Sequence, residues 1–221
     1  MLEPALKVLI SYLLGSIIGA LWVGRFLGHV DIRKLGSGNA GGTNALRTQG
    51  WFFAFLVVLI DVGKGVLAAG WVPGLVLPGI TPDAGAYGPG LPVACAAAAV
   101  FGHVFPLYHG FRGGKGAATL AGGLLMISWP ALLVLVVTWL ACVTFSGYVG
   151  LATMLATIAA AVYTGSSQGV ETPLFLFTFL MAVFIVFTHR SNIARMLAGT
   201  ESRTLRLMIF KPRSRAGSDH E

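Results

Sequence analysis

The stretch that decides the fold runs from residue 117 to residue 163, AATLAGGLLMISWPALLVLVVTWLACVTFSGYVGLATMLATIAAAVY, forty-seven positions without a single charged side chain. One continuous helix of that length would measure about 70 Å at about 1.5 Å per residue, more than twice the roughly 30 Å of hydrocarbon in a bilayer. The stretch must therefore fold back on itself. Pro130 and the Ser146-Gly147 pair stand where breaks would divide it into three short crossings. A single crossing with re-entrant pieces is the other solution.

Charge on either side limits both solutions to an odd number of crossings, and the spacing of the breaks favours three. Further apolar runs lie near 4–24, 51–72, 91–108 and 172–188. Some of the gaps between runs are basic: 25–50 carries Arg25, Arg33, Lys34 and Arg47, 109–116 carries Arg112 and Lys115, and the segment from 189 onward carries Arg190, Arg195, Arg203, Arg206, Lys211, Arg213 and Arg215. The gaps 73–90 and 164–172 carry no Lys or Arg. Short Lys/Arg-rich loops stay in the cytoplasm, so the basic gaps belong inside and the cation-free ones outside. Residue 116 is then inside and residue 165 outside, which requires an odd number of crossings between them. Three crossings there predict an all-α polytopic integral membrane protein with seven transmembrane helices, some of them short, an external N-terminus and a cytoplasmic C-terminus. Residues 1–203 read as one transmembrane domain, and 204–221 as a basic, disordered tail drawn to lipid headgroups.

Composition agrees. A chain of 221 residues that is 56% hydrophobic and 10% charged carries more apolar surface than one soluble core can bury. Glu3 and Lys7 do not make the basic start of a cleaved signal peptide, so 4–24 reads as a permanent helix. Cys95 and Cys142 lie within apolar runs without CxxC or Cys/His spacing, which argues against a structural disulfide or a zinc site. The formal charge of +7 sits between hydrophobic spans with no aromatic-basic module beside it, so it reads as topological and no nucleic-acid partner is expected. No internal repeat or inverted two-half symmetry is evident.

Three polar segments carry the chemistry. The first is Gly36-Ser37-Gly38-Asn39-Ala40-Gly41-Gly42-Thr43-Asn44, followed by Arg47. Its glycines allow successive backbone N–H groups to turn toward an anion, its hydroxyls and amides add donors, and a guanidinium can fork two phosphate oxygens. Gly36, Gly38 and Gly41 match GxGxxG formally, but a dinucleotide fingerprint needs a preceding strand and this loop follows a membrane helix. A flexible connector is the plainer alternative.

The second is Gly102-His103-Val104-Phe105-Pro106, then Phe111-Arg112-Gly113-Gly114-Lys115-Gly116 and Thr119. Its spacing is one residue short of a P-loop, and Gly116 stands where a magnesium-binding hydroxyl would be, so nucleotide hydrolysis and a metal site are not expected. What remains is the Lys115 ammonium on a glycine turn at a helix start, where the macrodipole also favours anions. His103 reads equally as a hydrogen-bonded interfacial histidine or as a proton carrier.

The third is His189-Arg190-Ser191-Asn192-Ile193-Ala194-Arg195, then Gly199 and Glu201. Positive-inside anchoring explains the arginines but not His189 or Asn192. In a helix, His189, Asn192 and Arg195 share one face. Asp61 and Lys64, three apart inside an apolar run, can neutralise each other as a structural pair or support a site.

Together these segments resemble the bacterial acyl-phosphate:glycerol-3-phosphate acyltransferase family, whose motifs GSGNxGxTNxxR, GHxFPxxxxFxGGKGxAT and HRxNIxRxxxGxE appear in order at Gly36–Arg47, Gly102–Thr119 and His189–Glu201. Ala40 and Ala117 stand where that family favours proline and valine; neither change removes a donor or a charge. The resemblance implies seven helices and a bacterial inner-membrane enzyme with its site facing the cytoplasm. It implies acyl transfer from acyl phosphate to the 1-hydroxyl of glycerol 3-phosphate without metal or cofactor, among membrane lipids and alongside an enzyme that makes the acyl phosphate. The expected catalytic set is Ser37, Arg47, His103, Lys115, His189 and Asn192. Substrate contacts are expected from Gly36, Gly38, Asn39, Gly41, Thr43, Asn44, Gly113, Gly114, Gly116, Thr119 and Arg195, with support from Asp61, Lys64 and Glu201. No histidine has an Asp five positions later, which argues against the HxxxxD acyltransferase class. A phosphate or organic-anion transporter is the competing reading, but it would place its polar site near the midplane rather than at one face.

Overall fold

The computed structural model of the protein describes residues 2–81, 85, 88–204 and 208. Among these every regular element is helical: α1 (Leu2–Gly15), α2 (Gly19–Leu27), α3 (Gly42–Gln49), α4 (Trp51–Val66), α5 (Gly90–Val104), α6 (Ala117–Ile127), α7 (Trp129–Ser146), α8 (Val149–Gln168), α9 (Pro173–Thr188) and α10 (Arg190–Leu197). Four helical stretches are long and apolar enough to cross a membrane: Trp51–Gly74, Gly90–His109, Trp129–Ser146 and Val149–Gln168. The bent pairs α1/α2 and α9/α10 pass the same test when each is taken as one span, and α6 is a shorter apolar helix.

The uncharged stretch divides where its sequence predicts. Ser128 caps α7 by accepting from the Ala131 N–H, and Pro130 occupies the first turn, where its missing donor costs nothing. Gly147, at φ 74°, ends α7 in a left-handed turn that returns the chain into α8. Thr204 N–H donates to the Gly147 carbonyl at 2.8 Å, which docks the start of the tail on this turn. The remainder of the expected tail, apart from the buried Met208, lies outside the described residues.

The run 4–24 is corrected: it is not one straight helix. The chain breaks at Ser16–Ile18 and bends by 43° between α1 and α2. The broken backbone is satisfied from α4, since Asp61 Oδ1 accepts from the Gly19 N–H at 3.1 Å and Lys64 Nζ donates to the Ile17 carbonyl at 2.7 Å. A polar pair inside an apolar run thus plugs a neighbour's helix break.

Small residues set the packing. A Cβ on Gly15 would collide with the Ala99 backbone, and one on Gly102 with that of Tyr12, so α1 and α5 meet backbone to backbone. Gly65 against Thr119, and Gly122 against Val62, do the same for α4 and α6. This is the close approach that small residues permit between membrane helices. α7 packs mainly on α8, α8 on α9, and α4 on α6, while α4 and α7 make no substantial contact with each other. A cleft floored by α6 is left between them. Leu133, Val137 and Leu140 on α7, and Phe55 and Leu59 on α4, remain exposed as a lipid-facing surface requires.

Candidate active site

The three motif segments converge at one end of the bundle. Arg33, paired with Asp31 at 2.9 Å, donates to the carbonyls of His109 at 3.4 Å and Arg112 at 3.2 Å, tying the first segment to the second. Arg47 donates to the Ser202 carbonyl at 3.2 Å, tying the first to the third. Thr188 Oγ1 donates to the Lys115 carbonyl at 3.1 Å, and Lys115 Nζ donates to Asn192 Oδ1. These contacts enclose a cavity of about 640 Å³ that begins among the polar loops and continues into the α4–α7 cleft.

The polar end carries features that favour an anion. Gly41, Gly42 and Thr43 open α3, Gly116, Ala117 and Ala118 open α6, and all six line the cavity. Two helix N-termini therefore aim unpaired N–H groups and positive dipole ends at the same space. Ser37, Asn39, Arg47, Lys115, His189, Asn192, Arg195 and Glu201 complete the wall. The apolar end is formed by Phe55 and Val58 of α4, Ala121 of α6, and Leu135, Trp139 and Leu140 of α7.

The third segment is organised as the helical face predicts. Glu201 is buried, accepts from Asn192 Nδ2 at 2.8 Å and pairs with Arg195 Nε at 2.6 Å. One carboxylate thereby fixes the amide that Lys115 contacts and the guanidinium beside it. Burial, then the Arg195 and Arg190 charges, lower the Lys115 ammonium from its usual 10.5 to about 8, with Glu201 opposing the shift. His189 Nδ1 lies 2.8 Å from the Ile185 carbonyl, an acceptor only, so Nδ1 carries the proton and Nε2 keeps its lone pair.

Several expected contacts have other positions. Asn44 lines the cavity, but both ends of its amide are engaged inside the first loop: Oδ1 accepts from Ser37 N–H at 3.0 Å, and Nδ2 faces the carbonyls of Ile32, Leu35 and Asn39 at 3.1, 2.9 and 3.0 Å. It braces the loop that Gly36 (φ 55°) and Gly38 (φ 73°) turn through left-handed conformations. Those two glycines do not reach the cavity wall. Gly113 and Gly114 do not line it either; their N–H groups donate to the Val104 and His103 carbonyls at 3.2 and 3.1 Å. A Cβ on Gly114 would strike His103 Nε2, so glycine there lets the loop close over the histidine. Thr119 is buried in the α4–α6 contact with its hydroxyl unpartnered, away from the cavity. Asp61 and His103 border the cavity, and Lys64 lies behind them.

Sequence reasoning missed Arg33 as the clamp between loops, and Gly150, Thr153 and Thr157 of α8 as cavity wall. Asp31-x-Arg33 offered a spacing cue for the clamp. The α8 residues sit in an unremarkable apolar run and offered none.

An apolar cleft that opens onto a cationic, donor-rich pocket defines a membrane protein built to handle an amphiphile with an anionic head. The chain belongs to the glycerol-3-phosphate acyltransferase family, whose model matches residues 5–199. It is 38% identical over 220 residues to a glycerol-3-phosphate acyltransferase of Chlorobaculum tepidum, covering 89% of this chain and 94% of that one. It is 39% identical over 215 residues to the Salinibacter ruber protein of the same name, covering 93% of each. Among solved structures it resembles PlsY (YgiH), described as an integral membrane glycerol 3-phosphate acyltransferase. The glycerol 3-phosphate form matches at a TM-score of 0.77 and 30% identity, covering 90% of this chain and 94% of that one. The lysophosphatidic acid form matches at a TM-score of 0.75.

Proposed function

We propose that this protein transfers an acyl group from acyl phosphate to the 1-hydroxyl of glycerol 3-phosphate, releasing lysophosphatidic acid and inorganic phosphate. The observation that carries the reading is the junction inside one cavity of a lipid-facing apolar cleft with a pocket walled by Arg47, Lys115 and Arg195 and two helix N-termini. The acyl chain occupies the cleft, its phosphate lies among the cations, and the phosphate of the acceptor shares the same pocket. Holding both anions side by side offsets their repulsion and places the hydroxyl near the carbonyl. Attack forms the new C–O ester bond through a tetrahedral oxyanion, for which Ser37, Asn39, Thr43 and Asn192 are the nearby donors. Collapse breaks the C–O bond to phosphate. The hydroxyl proton passes to His189 Nε2 or to the departing phosphate, and no covalent acyl-Ser37 stage is needed.

The chain works as a multi-pass protein of the bacterial inner membrane. The four long helices and the bent pairs α1/α2 and α9/α10 supply up to six passes; counting the short α6 as a seventh, the basic loops support an outside N-terminus and a site in the cytoplasm. Residues 1–203 form the catalytic domain, supplied by an enzyme that makes acyl phosphate.

The test is purified protein in lipid with acyl phosphate and glycerol 3-phosphate, with acyl-CoA as the control donor. Lysophosphatidic acid and phosphate released one to one from the acyl phosphate reaction support the assignment. No product, together with phosphate uptake into sealed vesicles, would replace it with transport.

A further inference from the structure

Beneath the pocket lies a charged cluster that the reaction above does not use. Asp61, Lys64 and His103 are 1%, 4% and 3% exposed. The Lys64 ammonium has three hydrogens and three acceptors around it: the Ile17 carbonyl at 2.7 Å, Asp61 Oδ1 at 3.0 Å and His103 Nδ1 at 2.7 Å. Nδ1 of His103 also lies 3.4 Å from Asp61 Oδ1, but the ammonium is nearer at 2.7 Å and only donates, so Nδ1 accepts from it and the ring proton sits on Nε2. A proton on Nδ1 would face the ammonium head-on. Asp61 Oδ1 also accepts from the Gly19 N–H and neutralises Lys64. Nε2, at the far side of the ring, has no hydrogen-bond partner among the described residues; it lies under the Gly114 backbone, on a side chain that borders the cavity.

We propose that Asp61 and Lys64 are positioning residues that hold His103 as its Nε2–H tautomer, so that His103 donates a hydrogen bond to a phosphate or oxyanion oxygen in the cavity and does not act as the base. The proposal rests on the acyl-transfer reading for its substrate oxygen. The tautomer itself rests only on the Lys64 geometry. It also gives the two histidines opposite duties, since His189 presents a lone pair where His103 presents a hydrogen. Because Lys64 and Asp61 bridge the α1/α2 break, the bend of the first span and the orientation of the donor are set by the same pair.

Nitrogen-15 spectra of histidine-labelled protein in lipid, assigned by the resonance lost in His103→Gln, read the tautomer directly in the wild type. A protonated Nε2 and bare Nδ1 at neutral pH are expected; a bare Nε2 or a doubly protonated ring overturns the proposal. Kinetics supply the second arm. His103→Ala should lower kcat by about 100-fold, the scale of removing one oxyanion donor, whereas His103→Gln, which keeps an N–H near the Nε2 position, should lose no more than about tenfold. In Lys64→Met the ring proton can move to Nδ1, which already lies 3.4 Å from Asp61 Oδ1 and would donate to it. The histidine signals should then exchange and kcat should fall, but the same substitution should cost far less in the His103→Gln background. Equal losses in both backgrounds would make Lys64 a helix plug alone and sink the idea. Should Lys64→Met fail to fold, the wild-type spectrum and the Gln/Ala comparison still decide it. If no variant and no wild type makes lysophosphatidic acid, the acyl-transfer reading fails while the spectrum still settles the tautomer.

Discussion

Lys115 is the residue on which the pocket's charge turns. Its ammonium is held near 8 by burial and by Arg195, so the empty site loses a positive charge as pH rises through that value. Bound phosphate favours the protonated form, so binding takes up a proton at pH 8 to 9. The Michaelis constant for glycerol 3-phosphate is accordingly expected to climb above about pH 8, approaching tenfold per pH unit. Lys115→Arg, whose charge does not titrate there, should flatten that rise in a steady-state pH profile. Lys115→Ala and Arg47→Ala should abolish turnover while the protein still inserts and folds, as size-exclusion and circular dichroism would show. Glu201→Gln keeps an acceptor for Asn192 but leaves Arg195 without its anion; a loss of about 1.5–3 kcal/mol in transition-state binding, read as kcat/KM, is expected. Asn44 shows how far such roles can be read from a motif. Its amide looks like a substrate donor in the sequence, yet sharing two amide hydrogens among three carbonyls while accepting from one N–H across residues 32–39 is a three-dimensional task that spacing does not display.

At the level of elements, closeness is set by glycine. Gly65→Ala and Gly122→Ala each drive a methyl into the backbone of the opposing helix in the α4–α6 contact. A destabilisation of about 1–3 kcal/mol is expected for each, seen as a lower unfolding midpoint in detergent. The breaks at Pro130 and Gly147 were legible because proline and glycine act locally on the backbone. The break at Ser16–Ile18 was not, because nothing in those residues forbids a helix. What stabilises it is an ion pair from a helix some forty residues later in the chain, and only the fold brings Asp61 and Lys64 to that place. Likewise the helical face of His189, Asn192 and Arg195 followed from spacing alone, whereas its anchor to Glu201 needed the chain to turn back after α10.

For the molecule as a whole, charge distribution revealed the grouping of the loops, but the cleft between α4 and α7 could not be read. Its existence depends on two helices failing to meet, and hydropathy reports how apolar a helix is, not which neighbour it lacks. Ala121→Trp on the cleft floor should raise the Michaelis constant for acyl phosphate increasingly with chain length and leave that for glycerol 3-phosphate unchanged. The same opening bears on how the enzyme meets its substrates. On the proposed reading the donor enters sideways from the bilayer without crossing bulk water, so its effective concentration is its mole fraction among the surrounding lipids, while glycerol 3-phosphate arrives from solution. Diluting a fixed amount of acyl phosphate with inert phospholipid should slow the reaction at constant bulk concentration. A product whose chain occupies the cleft, as proposed, can join the membrane by drifting outward along the plane in which it was made.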